Sequence, residues 1–163
     1  MGAYLLLFAY AFVSNVALAV LPHEPMVIWC GARLGVLSTA LIATAGTIGA
    51  AWTDHRLFAR SISRRTQPGG RVQHWFARAP FAVLALSGLT PLPFFPFKLL
   101  AFAACYPRER YIAAVALGRF PRYLLLAWLG VTVRLPAWTL ALAGVLLLLP
   151  ILRVFRWPTP NAS

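Results

Sequence analysis

The pattern Leu-Pro-x-x-Pro occurs twice, at Leu21–Pro25 and Leu92–Pro96, each time in or at the end of an uncharged apolar run. Proline removes a backbone donor and clashes with the preceding turn, so two within four residues stop a helix. In a bilayer, such a break survives only where protein or water satisfies the freed backbone groups. A chain with two of these breaks is therefore constrained to a small set of membrane folds.

The uncharged runs are Met1–Pro22, Leu34–Thr53, Ala79–Phe97 and Leu135–Leu152. A membrane helix needs about 20 mostly apolar residues. A fifth segment, Tyr111–Val133, is apolar apart from Arg119 and Arg122. Only 11% of the 163 residues are charged, against about 25% in a soluble domain. The net charge of +12 would suggest nucleic acid in a soluble protein. With apolar runs this long, its partner is an anionic lipid surface instead, and no nucleic acid is expected. No basic residue precedes the first apolar stretch, so it is kept as part of the fold rather than as a signal peptide.

The two proline motifs are offset by 71 positions. Each follows an apolar limb and precedes about ten apolar residues. The expected architecture is all-α: a polytopic membrane protein with two inverted re-entrant helical hairpins plus about three transmembrane helices. The hairpin tips are placed at Pro22, Pro25, Pro93 and Pro96. One domain spans residues 1–157, with an internal inverted repeat over about 5–53 and 79–131. Residues 54–78 form a basic amphipathic segment that breaks at Gln67-Pro68-Gly69-Gly70, and 158–163 form a short tail. Charge supports this topology. With two hairpins, ten arginines fall on one side and only Arg33 and Arg134 on the other. The positive-inside rule then makes 54–78 and the C-terminus cytoplasmic.

Few residues carry chemistry. Cys30 and Cys105 form no CxxC pair, and no His/Cys cluster suggests a metal. HExxH, P-loop, GxGxxG and GxSxG signatures are absent. Neither an enzyme nor a cofactor is expected. Glu24 at the first tip is the sharpest candidate, because intramembrane ionisable residues mark function by default. His23 beside it could share a proton. Lys98 is the only lysine and lies just after Pro96. A cation at a helix start needs an anion nearby, either a lipid phosphate or Glu24. Arg119 and Arg122 share one helix face, where guanidinium forks suit phosphate oxygens. Pairing of these arginines with Glu24, Asp54 or tip carbonyls is the structural alternative. Asp54 is expected to pair locally with Arg56 or Arg60, and Pro121 to kink its helix.

Leu21-Pro22-His23-Glu24-Pro25, Thr90-Pro91-Leu92-Pro93-Phe94-Phe95-Pro96-Phe97-Lys98 and Gly118-Arg119-Phe120-Pro121-Arg122-Tyr123 resemble the DedA family of bacterial inner-membrane proteins. That family shares the VTT, or SNARE-associated Golgi protein, domain. The resemblance covers about Leu7 to Gly130. It implies two facing re-entrant hairpins and flippase- or scramblase-like movement of a phosphate-bearing lipid, such as undecaprenyl phosphate or phosphatidylethanolamine, in some members with proton coupling. The carried-over acid is Glu24. Two arginines of the family pattern are replaced here by Gly88 and Phe94, and Ala50 stands where members carry an acid after Gly49. The missing arginines favour an alternative, a non-transporting scaffold or assembly factor supporting the envelope. A homo-oligomer is compatible with either reading.

Overall fold

The computed structural model describes residues 1–16, 22–65, 76, 78–90 and 94–133, together with positions 136, 138, 139, 142, 145 and 146. The side chains of 59–65 are excepted. The tip residue Pro93, the turn at 67–70, the tail 158–163 and almost all of the expected last helix lie outside the described residues. The described part is helical, with no strand among its residues. Six helices follow one another: α1 (Gly2–Asn15), α2 (Glu24–Leu34), α3 (Val36–Arg65), α4 (Pro80–Leu89), α5 (Phe95–Ala103) and α6 (Arg108–Val133). Their lengths repeat as short, short, long.

The helix starts follow from proline placement. Pro25 and Pro96 are each the second residue of a helix, where the missing N–H is one the helix leaves unpaired anyway. The second proline of each LPxxP thus seeds the helix that follows. Glu24 stands in the first turn of α2 and Arg33 in its last, both complementing the helix dipole. Gly35 alone separates α2 from α3, at φ 87, in the region that favours glycine. The α5–α6 corner closes with Cys105 at φ 52, Tyr106 N–H donating to Ala101 O, and Pro107 before Arg108.

One element departs from expectation. The helix expected over Leu34–Thr53 runs on to Arg65 without interruption. No glycine or proline occurs between Thr53 and Gln67, so charge arrives well before any helix breaker. At 1.5 Å per residue α3 is about 45 Å long. Pro121 lies inside α6, which remains one helix from Arg108 to Val133. By length and composition, two helices can cross a membrane, over Val36–Phe58 and Arg108–Val133.

Packing repeats with the element order. Within each half the first helix packs on the long one, α1 on α3 and α4 on α6. Across halves each middle helix packs on the other half's long helix, α2 on α6 and α5 on α3. The long helices also pack on each other. Small residues allow the closest approaches: a Cβ at Gly130 would overlap the Ile28 carbonyl, and one at Gly118 the Ala85 carbonyl. Such contacts suit helices associating in lipid.

Two apolar clusters fill the interior. One gathers Leu84, Phe94, Phe102 and Tyr111; the other gathers Leu7, Val27, Cys30, Tyr123 and Ala127. Polar groups are buried between them while large apolar side chains face outward. Asp54 is 0% exposed and Arg119 4%, whereas Leu5 is 70% and Leu125 61% exposed.

Candidate functional site

The buried face of α3 carries Ala40, Ala43, Thr47, Ala50 and Asp54 at helical spacing. This stripe brings Asp54 inward, and its carboxylate accepts from Lys98 Nζ of α5 at 2.5 Å. The ammonium also donates to the backbone oxygen of Asn15, at 3.0 Å. Lys98 therefore pairs with Asp54 rather than with Glu24. Of the two local partners expected for Asp54, the side chain of Arg60 lies outside the described residues. Arg56 faces outward and stacks over Trp52, 4.1 Å from the ring centre.

Glu24 has a different partner. Arg122 Nη2 donates to its carboxylate at 2.5 Å, and Arg122 Nη1 donates to Thr90 O at 2.8 Å. This bridge is half-open, with Glu24 24% and Arg122 16% exposed. The Asp54–Lys98 bridge is sealed. Each bridge joins the middle helix of one half to the long helix of the other.

Arg119 lies between the two bridges. Its Nη1 donates to Asn15 Oδ1 at 2.6 Å and to the Tyr123 hydroxyl at 3.2 Å. His23 Nε2 lies 3.3 Å away. Tyr123 and Thr47 share a hydroxyl–hydroxyl bond of 2.8 Å, and Thr47 donates on to Ala43 O. The Phe94 ring covers the guanidinium, 5.0 Å from its centre. His23 and Phe94 are the residues immediately before α2 and α5, so the starts of both middle helices meet at Arg119. Among the described residues, no carboxylate lies within ion-pair distance of Arg119.

These contacts form one polar chain through an apolar body. It runs from Asp54 and Lys98 through Asn15, Arg119 and His23 to Glu24, Arg122 and Thr90. Beside it lies a cavity of about 10 Å³, lined by Asn15, Thr47, Asp54, Lys98, Tyr111 and Arg119 among others. Two of the lining groups are buried without a hydrogen-bond partner, the Tyr111 hydroxyl and Arg119 Nε. No cluster of three metal-ligating side chains occurs among the described residues.

The structure thus gathers Glu24, His23, Lys98, Arg119 and Arg122 into one network. Pro22 joins its edge by accepting from the Tyr10 hydroxyl at 2.8 Å, while Pro25 and Pro96 serve the helix starts. Sequence reasoning missed Asn15, Thr47, Tyr111 and Tyr123. Asn15 carried a readable signal, as the only asparagine before the C-terminal tail and the end of an uncharged helix. Gly88 lies close to Gly118 and the Arg119 side chain. No family model matches the chain, and no curated protein or solved structure shows significant similarity to it.

Proposed function

We propose that this chain is a DedA-like protein of the bacterial inner membrane that moves a phosphate-bearing lipid head group between leaflets. The observation that carries the reading is the meeting of both middle-helix starts on Arg119, a buried guanidinium with no carboxylate of its own. Helix N-termini are electropositive, and broken helices aim such ends at anionic substrate groups in transporters. An anion is the missing element of that arrangement.

The outward apolar surface and the two helices of spanning length support a membrane setting. In this reading α1–α2 and α4–α5 are re-entrant hairpins entering from opposite faces, with 54–78 and the C-terminus cytoplasmic. The half-open Glu24–Arg122 bridge is the entry. An arriving phosphate would compete with Glu24 for the Arg122 fork and engage Arg119 behind it. Protonation of Glu24 would aid that exchange by releasing Arg122. The basic turns of α3 beyond Asp54 attract anionic lipid.

The test is reconstitution in liposomes with head-group-labelled phosphatidylethanolamine and with undecaprenyl phosphate. Leaflet exchange by the wild type, lost in Arg119→Gln with the fold retained, is expected. The pairing of Asp54 and Glu24 with cations of the chain itself favours a second reading, a static scaffold without transport. Folded wild-type protein that exchanges neither lipid would select it.

A further inference from the structure

The cavity beside Arg119 has a charge excess that its own lining does not cancel. Its charged residues are Asp54, Lys98 and Arg119, one acid against two bases. Asp54 is engaged by Lys98 at 2.5 Å. The contacts of Arg119 to Asn15, Tyr123 and His23 bring it no full negative charge. An uncompensated buried charge is costly, so a counter-charge at this place is strongly favoured.

The orphaned groups say what kind of counter-charge. Arg119 Nε–H is a donor only, and the Tyr111 hydroxyl supplies a second donor. Tyr111 is 0% exposed and Arg119 4%, so bulk water does not satisfy either. Phe94, the residue before α5, also lines the cavity, so the start of that helix adds positive potential there. Size then decides the ligand. About 10 Å³ of space for particle centres suits one small particle, a water or a monoatomic ion.

We propose that this cavity is a binding site for one monoatomic anion, with chloride the natural occupant. It is held by Arg119 Nε and the Tyr111 hydroxyl, with Lys98 offsetting the nearby carboxylate of Asp54. A neutral water fits the volume but leaves the excess charge in place. The site does not depend on lipid movement and stands whether or not the chain transports anything.

The experiment measures thermal unfolding of the purified full chain in detergent, titrated with sodium chloride or sodium bromide against sodium gluconate at constant ionic strength. Saturable stabilisation by both halides and none by gluconate is expected. Tyr111→Phe keeps the ring and removes one donor to a charged ligand, which should weaken the halide midpoint about tenfold or more. Crystals grown in bromide should show an anomalous peak beside Arg119 Nε. Equal unfolding curves in halide and gluconate would overturn the proposal and assign the cavity to water. A halide effect unchanged in Tyr111→Phe would overturn it too, by placing the anion elsewhere.

Discussion

His23 and Phe94 are 71 positions apart, the same offset that relates the two LPxxP motifs, and both touch the guanidinium of Arg119. Equivalent residues of the two halves thus meet on one side chain. Phe94 is 7% exposed and belongs to an apolar cluster. Phe94→Ala is expected to cost about 3 kcal/mol, the scale of large-to-small core substitutions. Equilibrium unfolding in mixed detergent measures it, and a change below experimental error would show that the ring is not a structural wall.

The sealed bridge invites a double-mutant cycle. Removing one member of a buried pair strands the other, at about 3–5 kcal/mol. Asp54→Asn and Lys98→Met should each destabilise on that scale. The combined Asp54→Asn/Lys98→Met variant should recover much of the loss. Additive single effects would contradict the pairing.

The half-open bridge should behave differently. Glu24→Gln is expected to cost less stability than Asp54→Asn, because solvent reaches Glu24 and Arg122 keeps its bond to Thr90 O. It should nevertheless raise leaflet exchange, because it releases Arg122 as protonation of Glu24 would. Unfolding and liposome exchange on the same preparations separate the two effects.

Backbone contact between α2 and α6 predicts a sharp contrast among glycines. Gly130→Ala drives a methyl into the Ile28 carbonyl and should destabilise by about 1–3 kcal/mol, as overpacking does. Gly2→Ala meets nothing within 4 Å and should be silent.

Topology can be read by cysteine accessibility in intact cells, after replacing Cys30 and Cys105 by serine. Arg33 and Arg56 flank the apolar part of α3, each stacked on a tryptophan, at 4.0 and 4.1 Å. Cysteines at Arg33 and at Arg56 should label from opposite faces. A cysteine at Glu109 should label from the same face as Arg56. Labelling of 33 and 56 from one face would remove α3 as a membrane span.

Several of these features are legible in the amino-acid sequence itself. Proline chemistry locates the starts of α2 and α5, because a ring that cannot continue a helix can still begin one. The inward cluster of Glu24, Lys98, Arg119 and Arg122 is legible from the rarity of charge in apolar runs. Partner choice is not. Lys98 and Asp54 are 44 positions apart, and nothing local distinguishes Asp54 from the exposed Arg56 except the stripe of small residues leading to it. The end of α3 falls later than the charge pattern suggests because arginine marks the edge of an apolar environment, not the edge of a helix.

Asn15 carries no charge, yet its backbone oxygen receives Lys98 and its side-chain oxygen receives Arg119. It bonds Lys98 of the sealed bridge on one side and Arg119, beside the half-open bridge, on the other. The two ends of the polar chain are thus linked by hydrogen bonds that need no helix to move. Substituting this one amide should therefore reduce the coupling energy between substitutions at Asp54 and at Glu24, as measured by double-mutant cycles.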